Sequence, residues 1–475
     1  MILKNINHTF QYDMKNICTV FFPYEKIKDD GADDITVITK KRDDAFFVCA
    51  TAYDRVVEKS HTLTENEDEA TALSVLLYRA LSELMGYNPP WGILFGVRPA
   101  KLMHRLSEEL GEDQAKQHFV NDFLAEQSKA DLAAEVIKHE NRVISLSADN
   151  SFSLYVSIPF CPTRCAYCSF VSHSVERTKK LTEPYTQLLC RELEETGAAA
   201  KELGLRLETV YFGGGTPTAL EPHQLSELFK AVERSFDLST IREYTVEAGR
   251  PDTVTREKLA ELKAAGVSRI SINPQTFNDD VLNEIGRRHS AQQTVQAFEL
   301  ARSMGFDNIN MDLIAGLPKD SFESFKNSAD KAISMGAQSV TVHTLALKSA
   351  AYIVTRDMTF DLTDRLVTAD MVDYSNKALL NAGYYPYYMY RQSKSIGNLE
   401  NVGWCMPGRD CLYNVYMMDE THSVFAAGAG AVTRLKNPET GYIERIYNYK
   451  YPYEYIDGFS EISKRKKRIT KFYFE

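Results

Sequence analysis

The chain has 475 residues, 44% of them hydrophobic and 25% charged, with a formal net charge of −10 at pH 7. This length supports two or three domains around a large core, and the balance is that of a globular protein. The acidic charge argues against nucleic-acid binding, and no apolar run approaches the roughly 20 residues of a membrane span. The opening MILKNINHTFQYDMK lacks the apolar core of a signal peptide, so a cytoplasmic location is expected. In that setting the eight cysteines point to metal or redox chemistry rather than to disulfides.

Residues 1–150 read as an α+β extension. CTVFFP (18–23), DITVITK (34–40) and AFFVCATAYD (45–54) are rich in β-branched and aromatic residues and read as strands. DEATALSVLLYRALSELMGY (68–87) carries apolar residues at helical spacing. NPPWGILFGVRP (88–99) interrupts with Pro and Gly, helical sequence resumes to about Ile144, and SADNS (147–151) reads as a linker.

Residues 151–349 are more regular. Strand-like runs at 154–158, 208–212, 243–248, 269–273, 308–314 and 339–346 alternate with helical ones near 184–203, 222–236, 255–265, 290–304 and 320–335. Gly266, Gly305 and Gly336 stand where helix-ending glycines belong. Such alternation predicts a parallel sheet. Six units are too few for a closed eight-fold barrel, so the expectation is α/β, an open, partial (β/α)6 barrel with its chemistry at the C-terminal strand ends.

Residues 350–475 read as a mixed, largely helical domain that covers the substrate. It holds a helix over 363–382, the tyrosine-rich YYPYYMYRQ (384–392), NLENVGWCMPGRDCLYN (398–414) and the small-residue run FAAGAGAV (425–432). The basic run KRKKR (464–468) is expected to be a solvated helix face, with a partner or anionic surface as the alternative.

The stretch PFCPTRCAYCSF (159–170) carries Cys161, Cys165 and Cys168 within eight residues. A structural zinc site closes with four ligands. A disulfide would leave an odd thiol. Cys190 falls in a helical pattern, and Cys405 and Cys411 are remote in sequence. Three thiolates suit a cubane [4Fe–4S] cluster, which leaves one iron open to a small molecule.

With Tyr167 before its last cysteine, CPTRCAYC resembles the signature of the radical S-adenosylmethionine (SAM) superfamily. SLYVSIPFCPTRCAYCSF, FGGGTPTAL, INPQTFND, IGRRH and MDLIAGLPKD together resemble the oxygen-independent coproporphyrinogen III oxidase family. The N-terminal extension, WGILFGVRPAK and NLENVG resemble its HemZ-type branch, coproporphyrinogen dehydrogenase. The resemblance implies a [4Fe–4S] cluster on Cys161, Cys165 and Cys168, with SAM as cofactor.

It also implies SAM contacts. The strip Gly213, Gly214, Gly215 and Thr216 follows the second strand, where glycines expose backbone N–H groups; a tight turn alone is the alternative. Glu247 ends the third strand and could accept hydrogen bonds from ribose hydroxyls, or be a surface glutamate. Gln275 and Arg287 are the implied glutamine and arginine, with Arg288 a rival for the second role; a guanidinium pairs well with a carboxylate. Asp312 is an unusual polar residue in a buried strand, which favours a ligand contact. Tyr155 and Tyr167 complete the implied set. His343 could face the substrate or be a core histidine. Arg391 and its tyrosines would suit a porphyrin-like ligand or be ordinary packing.

Two positions depart from the family. Ser157 stands where a histidine is usual, and Phe170 stands where founding members carry a further cysteine. The second departure is shared with the heme-chaperone branch.

The implied reaction is oxygen-independent. A low-potential donor such as flavodoxin or ferredoxin reduces the cluster, SAM is cleaved to a 5′-deoxyadenosyl radical, and a propionate loses hydrogen, CO2 and an electron. Repeated twice, this turns coproporphyrinogen III into protoporphyrinogen IX. No catalytic side chain is implied. A heme chaperone, or an enzyme modifying or degrading heme, is the alternative.

Overall fold

The structure, a computed structural model, describes residues 1–475 apart from 24, 97, 171–172, 349–350 and 352–363. Contacts group it into two units: Met1–Ile137 with Met389–Asn401, and Lys138–Tyr388 with Val402–Glu475. The boundary expected at 349–350 lies outside the described residues.

The first unit is built on a four-stranded sheet in the order β1 (Ile2–Ile6), β2 (Ile35–Arg42), β3 (Ala45–Ala52), β4 (Arg55–Thr62), with β1 parallel to β2 and the remaining pairs antiparallel. Along β2, Ile35 and Val37 are buried and alternate with half-buried neighbours, the period of a strand with one covered face. CTVFFP does not form the expected strand: it lies in and just beyond a helix, Gln11–Phe21. Met14, Ile17, Cys18 and Phe21 are buried at i, i+3, i+4 and i+7 and join a core with Leu73, Leu77 and Leu81 of the helix Glu69–Met85. Burying such side chains stabilises by roughly 1.5–3 kcal/mol each, which outweighs the local preference of a short β-branched run.

Two stretches singled out in the sequence meet inside this unit. Trp91 Nε1 donates to Glu400 Oε2 at 2.8 Å, and Lys129 Nζ lies 2.9 Å from Glu400 Oε1. Arg391 donates to the carbonyl of Leu94 at 2.7 Å and its guanidinium lies over the Trp91 ring.

The second unit carries the strand–helix series. Its strands are β5 (Ser151–Ile158), the two-residue pair β6 (Phe160–Cys161) and β7 (His173–Ser174), β8 (Arg206–Gly214), β9 (Glu243–Glu247), β10 (Arg269–Ser271), β11 (Ile309–Ala315) and β12 (Ser339–Thr344). The long strands lie side by side as β12-β11-β10-β9-β8-β5, every neighbour parallel. The helices Val175–Glu202, Pro222–Ser235, Arg256–Ala264, Ala291–Ser303 and Phe322–Ser334 connect them. This is the open six-unit architecture expected from the sequence.

The C-terminal region extends the same sheet at both edges. After β13 (Tyr385–Arg391), β14 (Glu400–Cys405) pairs antiparallel with β12. At the other edge β15 (Ser423–Ala427) pairs parallel with β5 and is followed by β16 (Val432–Lys436) and β17 (Ile443–Tyr447). The region is thus richer in strand than expected.

FAAGAGAV forms β15 and a turn that packs on the end of β5: Ser157 Oγ donates to the Ala429 carbonyl at 2.8 Å and Tyr185 donates to the Ser157 carbonyl at 2.8 Å. The basic run is not uniformly solvated. Lys464 is 74% exposed, but Lys466 is 3% exposed and lies 2.9 Å from Glu192, which also accepts from Gly428, Asn448 and Tyr455.

Candidate functional site

Tyr155, Gly213, Glu247, Gln275, Asp312 and His343 come from successive parallel strands or the turns just after them. Parallel order puts their C-terminal ends at one side of the sheet. The cysteine stretch begins three residues beyond β5, at that same side.

The cysteine loop is held from several directions. Gly215 N donates to Ile158 O and Thr216 N to Phe160 O, both at 2.8 Å, so the glycine strip pairs with the residues leading into Cys161. Thr216 Oγ1 lies 3.5 Å from Cys161 Sγ. Gly215 cannot be replaced without movement, because an added Cβ would lie 2.6 Å from Phe160 O and 2.8 Å from Ile158 O. Gly214 has φ of +103°, a conformation open to glycine. On the far side, Ala166 N donates to Ile285 O at 2.9 Å and Thr163 Oγ1 to Gly286 O at 3.1 Å, which ties the loop to IGRRH. Burial, reinforced by the neighbouring Cys165, pushes the Cys168 thiol up to about 12; a bound cation would be needed to hold it as thiolate.

Among the described residues no three His, Cys, Asp or Glu side chains converge as ligands of one metal ion. The thiolates of a cubane each bind a different iron, so they need not converge on one point. A three-thiol donor set fits the cluster by its chemistry.

Beside the loop, Arg287 is 6% exposed and donates to Asn273 O at 2.7 Å and Gly249 O at 3.4 Å. Burial alone would lower its pKa; Tyr167 and Cys165 beside it reverse this and hold it above the usual arginine value. Its rival Arg288 points elsewhere and pairs at 3.1 Å with Glu176, both 67% exposed.

Gln275 adopts φ of +66°, a strained conformation for a non-glycine residue. It is held there by hydrogen bonds to β11, Gln275 N to Asp312 O and Ile314 N to Gln275 O. Gln275 Oε1 and Arg287 Nε are buried with no partner. Buried polar atoms are normally satisfied, so the pair fits a polar ligand such as SAM.

Asp312 accepts from Asn273 Nδ2 and Asn310 Nδ2 at 2.7 Å each, and His343 Nε2 lies 3.8 Å away. Burial would raise the Asp312 carboxyl, but the hydrogen bonds and charge of His343 outweigh it and hold the group below its usual value. Glu247 accepts from the Tyr211 hydroxyl at 2.6 Å; burial raises it to about 7 despite that bond. Tyr155, Tyr211 and Tyr413 form a triangular cluster of near-parallel rings, with Tyr211 and Tyr413 centroids 4.4 Å apart.

Three neighbours of the expected set escaped the sequence reading. Tyr211 and Asn273 each stand two residues before an expected one, Gly213 and Gln275, so the period of two along a strand was the available signal. Arg250 stands in a turn with no periodic signal. Arg391 belongs to the other unit.

The radical SAM superfamily profile matches residues 155–332. The chain is 35% identical over 432 residues to the oxygen-independent coproporphyrinogen-III oxidase-like protein HemZ of Bacillus subtilis (strain 168), covering 88% of this chain and 86% of that protein. It is 32% identical over 310 residues to the heme chaperone HemW of the same organism, covering 63% and 77%. Among solved structures, coproporphyrinogen III oxidase (HemN) from Escherichia coli, described as a radical SAM enzyme, shares the fold with a TM-score of 0.53 at 23% identity over 68% of this chain and 72% of that one. The chain therefore belongs to the radical SAM superfamily, in its oxygen-independent coproporphyrinogen-III oxidase-like, HemZ-type family, and takes that superfamily's cofactors, a [4Fe–4S] cluster and SAM.

Proposed function

We propose that the chain is a radical SAM enzyme of tetrapyrrole metabolism that decarboxylates coproporphyrinogen III to protoporphyrinogen IX without oxygen. The observation that carries this reading is the buried Arg287 against Cys165 and Tyr167 of the cysteine loop, with its Nε unpartnered, and a second buried unpartnered atom, Gln275 Oε1, at the C-terminal side of the sheet. Such a site is prepared for a polar ligand, in a chain whose similarity to an oxidase-like relative spans 88% of its length.

In this reading Cys161, Cys165 and Cys168 hold three irons. The backbone of Gly213 to Thr216 meets the amino group of SAM, with carbonyls accepting because the N–H groups of Gly215 and Thr216 are given to Ile158 and Phe160; Arg287 pairs with its carboxylate, and Glu247 accepts from its ribose. Gln275, Asp312, Tyr155 and Tyr167 complete the pocket wall. When bound, the cluster and SAM supply one-electron chemistry that removes hydrogen from an unactivated C–H bond. The protein's own task is to orient and to exclude water. The cluster of Tyr155, Tyr211 and Tyr413 sets flat apolar surface beside Glu247, and Asp312 is kept ionised by His343 and two asparagines. A low-potential donor such as flavodoxin or ferredoxin would reduce the cluster in the cytoplasm, a setting that suits eight free cysteines.

One observation favours a second reading. Phe170 is 65% exposed beside the cluster loop, where the oxidase resemblance would have a cysteine, and several relatives are heme chaperones. The deciding experiment is anaerobic turnover of the iron-reconstituted protein with SAM, reductant and coproporphyrinogen III, followed by tetrapyrrole mass. Loss of two CO2 with 5′-deoxyadenosine formed, both abolished in Cys165→Ala, establishes the oxidase. An unchanged tetrapyrrole on an intact cluster rejects it, and tight heme binding without turnover then favours the chaperone.

A further inference from the structure

We propose that Arg250 is a positioning residue for the cluster, setting the cysteine loop in register with the SAM face of the sheet; this rests on the cluster being held by Cys161, Cys165 and Cys168. Arg250 stands in VEAGRPD, three residues after Glu247. It is 3% exposed and uses four donor contacts. Nε and Nη2 form a two-pronged pair with Asp252, at 3.0 and 3.1 Å. Nη1 reaches Thr163 twice, its hydroxyl at 2.9 Å and its carbonyl at 3.3 Å. Thr163 lies between the first two cluster cysteines.

Other supports of this loop include backbone bonds and single hydroxyls: Thr216 N to Phe160 O, Ala166 N to Ile285 O, Thr163 Oγ1 to Gly286 O and Ser174 Oγ to Pro162 O. Arg287 lies against Cys165 and Tyr167 further along the loop, while Arg250 grips the segment between the first two cysteines, and its own backbone is fixed. Its carbonyl accepts from Thr253 N at 2.9 Å and Thr253 Oγ1 at 2.7 Å, and Thr253 Oγ1 in turn meets Thr218 Oγ1 just past the glycine strip. The neighbouring Gly249 carbonyl accepts from Arg287. One turn thus joins the cysteine loop, the glycine strip, Glu247 and Arg287.

Because Asp252 neutralises the guanidinium, the contribution is geometric rather than electrostatic. That distinction decides the test. Lysine keeps the charge but has no planar fork able to grip Asp252 and Thr163 together, so Arg250→Lys must fail as Arg250→Gln does. Asp252→Asn loosens the grip from the other side, and Thr163→Val removes one of the two Arg250 contacts together with the hydroxyl bond to Gly286 O.

The experiment reconstitutes full-length proteins anaerobically, measures iron and sulfide per chain, and follows chelator-driven loss of the visible cluster absorption; melting of the iron-free proteins is recorded in parallel. Arg250→Lys and Arg250→Gln are expected to lose the cluster at least about fivefold faster than wild type, with Thr163→Val and Asp252→Asn between. Melting of iron-free Thr163→Val should stay near wild type. Wild-type cluster retention in Arg250→Lys would overturn the proposal, as would loss rates that follow iron-free melting across all four variants. Should iron-free Arg250→Gln not fold, Thr163→Val and Asp252→Asn decide alone. A wild-type protein that binds no cluster, or an unaffected Cys165→Ala, would instead reject the cluster assignment itself.

Discussion

Replacing Gly215 by alanine tests whether the glycine strip and the cysteine loop are one mechanical unit. The added methyl would lie 2.6 Å from Phe160 O, 2.8 Å from Ile158 O and 3.0 Å from Phe160 N, all backbone atoms that cannot rotate away. Relief requires the two segments to separate by about half an ångström or more, on the scale of ordinary carbon–oxygen contacts. The bonds from Gly215 N to Ile158 O and Thr216 N to Phe160 O, each 2.8 Å, would stretch together. Overpacking costs about 1–3 kcal/mol and each of the two bonds about 0.5–1.5 kcal/mol net, so a loss of roughly 2–6 kcal/mol is expected.

Gly266→Ala is the control. Its φ is +77°, yet nothing lies within 4 Å of the added carbon, so the cost is left-handed strain alone, roughly 1–2 kcal/mol. Urea unfolding of both iron-free variants gives the stability difference, and equilibrium binding of SAM to the reconstituted proteins gives the functional one. Gly215→Ala should lose more stability than Gly266→Ala and bind SAM at least about tenfold more weakly, while Gly266→Ala binds it normally. Equal stabilities with undiminished SAM affinity in Gly215→Ala would refute the coupling.

Burial raises Glu247 from 4.5 to about 7, so between those values the native state holds a proton that the unfolded chain has released. Stability conferred by that proton therefore falls as pH rises across the window and is flat above it, by about 3 kcal/mol in total; urea melts at pH 5 and pH 8 should differ less in Glu247→Gln than in wild type. Glu400→Gln removes the counter-charge of Lys129, 1% exposed, beside the buried Arg391, and should cost about 3–5 kcal/mol, read from Trp91 fluorescence in a Trp404→Phe background; a loss under about 1 kcal/mol would contradict it. Lys466→Met strips buried Glu192 of its cation and should cost about 3 kcal/mol, whereas Lys464→Met on the same basic run should stay within about 0.5 kcal/mol; equal melting temperatures would show that the buried pair adds nothing.

The strand–helix series was legible because each unit carries its own local signal: a short apolar run, an amphipathic helix, and glycines such as Gly266, Gly305 and Gly336 at positive φ where helices end. The cysteine loop was legible because its spacing is itself the chemistry. CTVFFP was misread because a short apolar run has no period of its own; the deciding residues, Met14 and Ile17, lie upstream of it. The pairing of β15 with β5 joins residues about 270 positions apart, and nothing local in FAAGAGAV distinguishes a sheet edge from a loop. Lys466 looks like its neighbours in KRKKR until the fold supplies Glu192. Arg250 escaped for the same reason: its partners Thr163 and Asp252 are obvious only once the cysteine loop has been brought over the turn.

These differences bear on the choice between oxidase and chaperone. Gln275, Arg287, Glu247 and Asp312 would serve SAM under either reading, so they select no substrate. Ser157 is no discriminator either, because its hydroxyl is committed to the Ala429 carbonyl and its carbonyl to Tyr185, and the β15 turn comes so close that a Cβ on Gly428 would lie 2.4 Å from Ser157 O. Phe170 has no such structural duty, since a side chain 65% exposed contributes little packing. A single exposed aromatic ring needs no structural explanation, which leaves Phe170 as the position where the two resemblances part. Under the proposed reading, the distinction between oxidase and chaperone is carried by Phe170, and Gln275, Arg287, Glu247 and Asp312 are assigned to the cofactor.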